Sequence, residues 1–363
     1  MRFNEFRDEY VILPLKDCLK IKSGRDQKGV ECNNGKYKIY GTGGVIGFTN
    51  TYLFDKESVG IGRKGTINKP FYFNEPFWTV DTLFYSEIKQ NYVPKYIYYL
   101  FQTIPWKKYN TSTGVPSLTS SSIEAILKGF PLKEEQYKIA NFLSLIDQRI
   151  ETQIKIISDK ISLKNQLSND FFTSCHDYLK LDEFIKYGKA GGTPKSTNKD
   201  YYNGKIPFLS ISDITEQGKY ITRTSKTISK LGIKNSSSWI VPENSLILSM
   251  YASVGLPTIN KISLATSQAM YSMILKDSDN LEFLYYYLCY FQKYKLNSYL
   301  ETGTQSNINA NTVKSISIPN INKIERIKIA NIMTKIDYSI SFEKEILDNY
   351  QLQKCYLLKN MFI

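Results

Sequence analysis

Histidine is nearly absent from this chain of 363 residues, in which His176 is the single example. One histidine cannot form a histidine-rich metal site, and it leaves no spare for a conventional histidine-based triad. Its neighbours, TSCHDY, are typical of a solvated connecting segment. Paired carboxylates do not indicate a catalytic site either. Glu134/Glu135 and Asp182/Glu183 lie at predicted helix starts, where the helix dipole explains them without catalysis. We therefore predict no catalytic constellation and no metal site.

Cysteine and long apolar runs are also scarce. The five cysteines form no CxxC pair, and their odd number favours neither a disulfide framework nor a zinc site. This pattern fits a reducing compartment. The N-terminal MRFNEFRDEY lacks the apolar region of a signal peptide, and stretches such as SLILSMYASVGL are too short and mixed to span a bilayer. We expect a cytoplasmic protein that does not bind membranes. The cysteines are Cys18, Cys32, Cys175, Cys289 and Cys355.

Two stretches come close to nucleotide and methyltransferase motifs. GIGRKG at 60–65 fits GxGxxG, but strand-like TINKPFYFNEP follows it, whereas a dinucleotide site needs a helix there. NKPF at 68–71 approaches the (N/D)PP(Y/F) loop of amino-methyltransferases, but Lys69 replaces the first proline and no FxGxG-type cofactor loop precedes it. No GxxxxGK[ST] motif occurs. For GIGRKG we predict a turn that presents Arg63 and Lys64. For NKPF we predict an ordinary turn at a strand edge.

Positive charge is the most pronounced feature that the chain does have. It contains 47 Lys and Arg against 34 Asp and Glu, a net charge of +13, with 42% hydrophobic and 14% aromatic residues. This composition indicates a folded basic protein with a polyanionic partner. Basic residues interleaved with polar and aromatic ones suit phosphate contacts and base-edge recognition. The candidate DNA-binding residues are Arg25, Lys28, Arg63, Lys64, Lys69, Lys107, Lys108, Lys195, Lys199, Lys205, Arg223, Lys226, Lys230 and Lys234.

One segment occurs twice. EEQYKIANFLSLID at 134–147 and IERIKIANIMTKID at 324–337 agree at half of their fourteen positions, at an offset of 190 residues (329 − 139). Each opens a stretch without Pro or Gly in which apolar residues recur at three- and four-residue steps, which predicts two long amphipathic helices. Such narrow stripes are marginal alone in water, so we expect the helices to pack on each other. The predicted interface residues are Ile139, Leu143, Ile146, Ile150, Ile157, Ile329, Met333, Ile336, Ile340 and Leu347, and Ile161, Tyr350, Leu357 and Met361 continue the stripes.

The parts before each helix consist of short β-like runs broken by Gly, Asn, Pro and Ser. They echo each other, because PKYIYYLF parallels EFLYYYLC, and Gly114 and Ser117 align with Gly303 and Ser306. We predict an α+β protein with two mainly β domains, each followed by a long helix, and an internal pseudo-twofold symmetry from antiparallel packing of the helices. The predicted segments are 1–133 and 173–323 for the domains, and 134–172 and 324–363 for the helices.

Three motifs resemble the specificity (S) subunits of type I restriction-modification systems: GGTPKSTNKDYYNGKIPFLSISDI at 191–214, TGTQSNINANTVKSISIPNI at 302–321, and the duplicated E…KIA…ID helix start. The resemblance covers the whole chain and implies that each half is a target recognition domain for one part of a split DNA sequence. It implies that the helices form an antiparallel coiled coil that spaces these domains and receives two DNA methyltransferase subunits. S-adenosylmethionine binding, adenine methylation and restriction driven by ATP and Mg then belong to partner subunits, including restriction subunits where present, and this chain carries no cofactor.

We therefore expect a non-enzymatic DNA-recognition subunit for an asymmetric, bipartite target. Two alternatives stay open: a self-sufficient nuclease or methyltransferase with atypical motifs, and a coiled-coil scaffold whose basic domains bind RNA or another anion. Incubation with DNA, magnesium and S-adenosylmethionine tests the first, and competition between duplex DNA and RNA tests the second. Replacing Ile146 and Ile336 together by Asp should separate the helices, because it buries charge at their interface, and each β-rich domain should stay folded on its own core.

Overall fold

The computed structural model describes residues 2–300 and 307–362, and the chain divides into two compact units. Unit 1 comprises Met1–Ile156 and Glu343–Ile363, and unit 2 comprises Ile157–Phe342. The predicted segments follow the order of the chain, whereas each unit combines a β-rich domain with parts of both long helices. Each long helix therefore begins in one unit and ends in the other.

Unit 1 surrounds its helices with short strands. The strands are β1 (Val11–Pro14), β2 (Leu19–Ser23), β3 (Tyr37–Gly41), β4 (Gly44–Thr49), β5 (Ser58–Gly62), β6 (Phe71–Phe73), β7 (Phe77–Thr79), β8 (Leu83–Ile88) and β9 (Leu127–Phe130). The helices are α1 (Pro94–Thr103), α2 (Ser120–Glu124) and the first part of α3 (Lys133–Thr173). The larger sheet has the order β2-β8-β5-β6 and the smaller one β4-β3-β7, while β1 pairs with β9.

Unit 2 repeats this plan with additions. Its strands are β10 (Tyr178–Lys180), β11 (Ile185–Ala190), β12 (Tyr202–Leu209), β13 (Tyr220–Ile221), β14 (Lys226–Ile228), β15 (Ile240–Val241), β16 (Leu246–Ser249), β17 (Pro257–Asn260), β18 (Leu264–Thr266), β19 (Met270–Leu275) and β20 (Ser317–Pro319). Its helices are α4 (Ile211–Gln217), α5 (Lys230–Lys234), α6 (Leu281–Tyr294), α7 (Ala310–Lys314) and the first part of α8 (Lys323–Met361). The order β2-β8-β5-β6 recurs as β11-β19-β16-β17, and the parallel pair β3/β7 recurs as β12/β18. The duplicated frame thus extends from the helices to the sheets.

In each unit a tyrosine-rich helix forms the centre of the core. Helix α1 begins with Pro94, which suits a first helical position, and it buries Tyr96, Tyr99 and Phe101 against the larger sheet of unit 1. Helix α6 buries Tyr287 and its neighbours in the same way in unit 2. Because a buried tyrosine needs a partner for its hydroxyl group, these helices also determine where polar contacts form.

The long helices run antiparallel wherever they meet within a unit. In unit 1, Gln153 of α3 donates to the backbone carbonyl of Glu343 on α8 at 3.1 Å and also to its carboxylate. In unit 2, Ser168 of α3 contacts Met333 of α8 at 3.9 Å between Oγ and Sδ. Gln153 and Glu343 are the same position of the two repeats, 190 residues apart. Within unit 1, this contact therefore joins equivalent positions of the two repeats.

The aspartate that ends each repeated segment joins three elements. In unit 1, Asp147 of α3 accepts a 2.7 Å hydrogen bond from the hydroxyl group of Tyr99 on α1 and a 2.7 Å ion pair from Lys354 on α8. Burial first, and then this hydrogen bond, raise the pKa of Tyr99 well above its usual range, so the hydroxyl group remains a donor. Each Asp147 oxygen therefore ties α3 to a different helix.

Unit 2 contains the same junction with the roles of the long helices exchanged. Asp337 of α8 accepts a 2.8 Å hydrogen bond from Tyr286 on α6 and pairs with Lys164 on α3. Asp337 and Lys354 lie 190 positions after Asp147 and Lys164 (337 − 147 and 354 − 164). The repeat therefore conserves the aspartate and its lysine partner at one offset, and a tyrosine of the domain helix supplies the third group in both units.

The predicted interface residues are mostly buried, but not in an interface separate from the domains. Ile139, Leu143 and Ile146 belong to the core cluster of unit 1 that α1 and the sheet form, and Ile329 and Met333 belong to the core of unit 2. The expectation that both domains survive an aspartate at Ile146 is therefore wrong, because this side chain is part of a domain core. Ile157 and Ile340 are also buried, Ile150, Ile336 and Leu347 are half-buried, and Ile161 is 41% exposed.

We expect Tyr99→Phe to lower the free energy of unfolding by about 1.5 to 3 kcal/mol, because it removes a hydrogen bond to a charged group and leaves the ring in place. Tyr52→Phe is the matched control, since the Tyr52 side chain is 47% exposed, and it should change stability by less than about 0.5 kcal/mol. Urea unfolding of the two variants measures the difference. Equal free energies of unfolding for the two variants would show that the hydrogen bond between Tyr99 and Asp147 does not stabilise the fold.

We expect Ile146→Asp to cost more than about 4 kcal/mol, because it places an unpaired carboxylate at a site that is 4% exposed. Ile336→Asp should cost less than about 2 kcal/mol, because position 336 is half-buried and the carboxylate of the introduced aspartate reaches water. Thermal unfolding and limited proteolysis of the single variants compare them. A larger loss for Ile336→Asp would contradict the assignment of Ile146 to the core of unit 1.

Candidate nucleic-acid interface

The basic candidates lie on loops and element ends of both units, except Lys205, which lies within β12. All of them are exposed except Arg63, which is half-buried. Lys107 and Lys108 lie in the short turn Trp106–Tyr109, which the buried Trp106 fixes to the core of unit 1. In unit 2, Lys230 and Lys234 form the two ends of α5. The cations are therefore available to phosphates while the segments that carry them are held by buried neighbours.

Backbone hydrogen bonds hold the loop after β5 in place. The backbone N–H groups of Arg63 and Lys64 donate to the Thr82 carbonyl at 2.7 and 3.2 Å, and Gly65 N–H donates to Pro116 at 2.9 Å. Gly65 has a φ of +88°, which favours glycine at this turn. The guanidinium of Arg63 lies 5.9 Å from the centre of the Phe84 ring and donates to the Asp81 carbonyl at 3.4 Å. The predicted turn that presents Arg63 and Lys64 is confirmed.

A polar cavity of about 280 Å³ adjoins this loop. Hydroxyl-bearing side chains and the two cations share its wall, and this combination of donors suits a phosphate or the edge of a base. Its lining residues are Ser23, Arg63, Lys64, Phe84, Ser117, Leu118, Thr119 and Ser120. Ser117 is thus next to the basic loop. Ser306, which aligns with Ser117, and Gly303, which aligns with Gly114, lie outside the described residues.

The loop after β16 is the counterpart of the Arg63 loop in unit 2. Leu118 N–H donates to the Arg63 carbonyl at 2.9 Å, and Ile308 N–H donates in the same way to the Met250 carbonyl at 3.2 Å. This second loop carries no charge, and charge-based reasoning therefore missed it. Its backbone is strained, because Ala252 and Ser253 have φ values of 42° and 57°. Strain held by surrounding hydrogen bonds is common where a loop contacts a ligand, and the sequence shows no signal for it.

Arg223 is exposed but engaged. Its guanidinium pairs with Glu216, and the two side chains are 74% and 63% exposed. An ion pair this exposed contributes little free energy in water. Arg223 can therefore leave Glu216 for a nucleic-acid partner at a small cost in free energy. The nearby Asp213, in the ISDI motif, has a structural role: it accepts hydrogen bonds from Ser210 and Ser225. Burial alone would raise the pKa of Asp213, but these hydrogen bonds outweigh burial and lower it.

Arg25 occupies the position of the second glycine in the GGTP element of unit 2. Gly24 and Gly191 each donate to a neighbouring strand, at 3.2 Å to Leu83 and 3.1 Å to Met270. The next residues, Arg25 and Gly192, donate at 2.8 and 2.9 Å to threonine carbonyls. A Cβ atom on Gly24 or Gly191 would overlap a strand carbonyl, so both positions require glycine. The same turn therefore presents an arginine in unit 1 and none in unit 2.

The other motifs have structural explanations. β5 is followed by a loop and the edge strand β6, as predicted for GIGRKG and NKPF. His176 is exposed in the connector between α3 and β10. Glu135 lies in the first turn of α3, as predicted. The helix dipole is not its whole role, because its side chain also binds Arg2 and is only 1% exposed. Across residues 2–300 and 307–362, no cluster of metal-ligand side chains occurs and no helix is both long and apolar enough to cross a membrane.

Known proteins share both the sequence pattern and the fold. A family model for the type I restriction modification DNA specificity domain matches residues 7–158 and 177–349. The MjaIX specificity subunit of Methanocaldococcus jannaschii is 31% identical over 182 residues, 48% of this chain and 41% of that protein. The HindI specificity subunit of Haemophilus influenzae is 32% identical over 123 residues, 34% of this chain and 27% of that protein. The chain thus spans less than half the length of these two curated relatives.

Solved structures of low sequence identity match almost the whole chain. The type I restriction-modification S subunit from M. genitalium has a TM-score of 0.66 at 16% identity and covers 99% of this chain and 97% of that one. The HsdS subunit from Thermoanaerobacter tengcongensis has a TM-score of 0.51 at 14% identity, covering 98% and 96%. These matches confirm the predicted α+β fold with two β-rich domains and two long helices. With both halves matched by the family model, the chain belongs to the family of type I restriction-modification DNA specificity proteins.

Proposed function

We propose that the chain is the DNA-recognition subunit of a type I restriction-modification complex. It reads an asymmetric, bipartite duplex target, one part through each unit, and recruits two adenine-methyltransferase subunits, together with restriction subunits where these exist. The observation that carries the proposal is a duplicated frame with diverged loops: Arg63 and Lys64 follow β5, whereas the uncharged residues 251–253 follow the equivalent β16. The repeated frame offers equivalent surfaces to two identical partner subunits. The diverged loops suit recognition of two different half-sequences.

The chemistry is assigned to the partner subunits. S-adenosylmethionine, and ATP with magnesium where restriction occurs, would be bound there, and this chain would supply contacts and orientation. Since DNA is the ligand, the proposed role is cytoplasmic. The net charge of +13 supports the DNA assignment, because phosphate contacts by Lys and Arg supply most non-specific affinity for DNA.

We expect the chain alone to bind duplex DNA weakly, and to bind it with sequence specificity only in the presence of its methyltransferase partner. If about six to eight phosphates are neutralised, log K should fall against log salt with a slope of roughly −5 to −7. Fluorescence anisotropy over a salt series, with RNA as competitor, measures this. A salt-independent affinity, a preference for RNA, or methylated or cleaved DNA from the isolated chain would each contradict the proposal.

We expect Arg63→Ala, Arg25→Ala and Arg223→Ala each to cost roughly 1 to 3 kcal/mol at one position of the target, because arginine can bind guanine through two parallel hydrogen bonds. Lys64→Ala is the matched control beside Arg63, and it should weaken all sequences alike. Binding of the reconstituted complex to a library of single-base target variants separates the two patterns. Unchanged specificity in all three arginine variants would remove these residues from base recognition.

We propose that the long helices set the spacing of the two half-sequences. Inserting seven residues into α3 after Gln153 and seven into α8 after Glu343 keeps the helical phase and adds about 10.5 Å to each helix. The spacer in the methylated target should then grow by about three base pairs, with both half-sequences unchanged. Methylome sequencing of a host that expresses the variant tests this. An unchanged spacer, or a changed half-sequence, would mean that the helices do not set the distance.

A further inference from the structure

The start of α3 in unit 1 is covered by the N-terminal segment, residues 2–6. The guanidinium of Arg2 donates two hydrogen bonds to Glu135, at 2.8 Å from Nε and 2.7 Å from Nη2, and Tyr10 adds a third at 3.1 Å. This bidentate geometry is the strongest form of a carboxylate contact. Because Arg2 and Tyr10 cover it, the side chain of Glu135 is only 1% exposed.

The aromatic residues of the N-terminal segment pack farther along the same face of α3. The ring of Phe3 meets that of Phe142 edge to face, with 5.9 Å between centres. The ammonium group of Lys138 lies 4.7 Å from the centre of the Phe3 ring and pairs with Glu5. Positions 135, 138 and 142 are three and four residues apart, so they share one helix face. A carboxylate, an ammonium group and an apolar side chain together hold an arginine followed by an aromatic residue.

The same three positions of the second repeat lie at the start of α8 in unit 2. Glu325, Lys328 and Ile332 follow Glu135, Lys138 and Phe142 by the offset of the repeat (325 − 135, 328 − 138 and 332 − 142). All three line a cavity of about 660 Å³. The cavity is completed by Phe171, Ser174, Cys175, Asn320, Ile321, Asn322 and Ile329.

This cavity has no occupant among the described residues. Glu325 is exposed, in contrast to the buried Glu135, and Ile332 is 41% exposed. Within residues 2–300 and 307–362, neither Glu325 nor Lys328 has an ion-pair partner closer than 4 Å. The side chains that hold the N-terminal segment in unit 1 therefore have counterparts in unit 2 that line a cavity.

We propose that this cavity of unit 2 binds a short segment of a partner subunit in which an arginine directly precedes an aromatic residue. The arginine pairs with Glu325, and the aromatic ring packs on Ile332 beside the ammonium group of Lys328. The segment need be neither helix nor strand, because residues 2–6 contain neither and form a turn in which Phe6 N–H donates to the Phe3 carbonyl at 3.2 Å. The chain's own N-terminal segment is not the occupant, because Arg2 and Phe3 are engaged in unit 1. The identity of the partner rests on the proposed function, whereas the chemistry of the cavity does not.

The first experiment titrates the full chain against a labelled synthetic peptide, RFNEFRDEY, and follows fluorescence anisotropy. We expect saturable binding of one peptide per chain, weakened about tenfold or more by Glu325→Lys and by Ile332→Asp. Phe342→Asp is the matched control, because Phe342 is 59% exposed on the same helix and outside the cavity, and it should leave binding unchanged. A peptide that begins with Glu in place of Arg should bind the Glu325→Lys variant better than the wild-type chain, since the charges are then exchanged.

Absence of peptide binding, or binding that Glu325→Lys does not weaken, would overturn the proposal. So would self-association of the chain that Arg2→Glu abolishes in sedimentation experiments, because a second copy would then be the occupant. A second arm measures capture of the cognate methyltransferase subunit by the wild-type and Glu325→Lys chains, with the peptide as competitor. Both the substitution and the peptide should reduce capture about tenfold, and undiminished capture would exclude that subunit as the donor. Since neither arm contains DNA, loss of DNA binding would refute the proposed function separately.

Discussion

The fold depends on one carboxylate that appears twice. Asp147 and Asp337 each receive a tyrosine hydroxyl group from a domain helix and a lysine from the opposite long helix. A half-buried carboxylate with two directional partners fixes the distance and rotation of both neighbours, whereas apolar contacts alone tolerate sliding. Since α1 and α6 carry the larger sheets, this junction also fixes the sheets and the loops at their edges relative to the helices of the same unit. The loops can therefore diverge without changing the frame.

Much of this frame was predictable from the chain alone. The offset of the repeat, taken with helical periodicity, predicted helices 134–172 and 324–363, and the structure has Lys133–Thr173 and Lys323–Met361. Periodicity identifies the buried face of a helix, because the face is a local property. It does not identify what covers that face, and Ile146 accordingly belongs to the core of unit 1 rather than to a separate helix interface.

Sequence reasoning missed one contact between distant positions and one strained loop. Arg2 and Glu135 are 133 residues apart, and no local pattern connects them. The loop around Ala252 contains no charged residue, so a search for basic segments passes over it, and its positive φ values depend on hydrogen bonds to Ser249 and Met250 that form only in the folded unit. The basic loop residues are candidates on sequence alone, because their charge is a property of the residue type. Backbone strain and long-range pairing are visible only in three dimensions.

The contact between Gln153 and Glu343 affects which repeats pack against each other. At this position each repeat meets its own equivalent, so the pair formed by two identical halves would be two glutamates or two glutamines. Two half-buried carboxylates repel each other, while glutamine opposite glutamate supplies a donor and an acceptor, and Gln153 is 6% exposed. Divergence at a single position thus favours the first repeat with the second over the second repeat with itself. A chain of this kind carries, where equivalent positions of its helices meet, a discriminator against association with a copy of itself through two second halves.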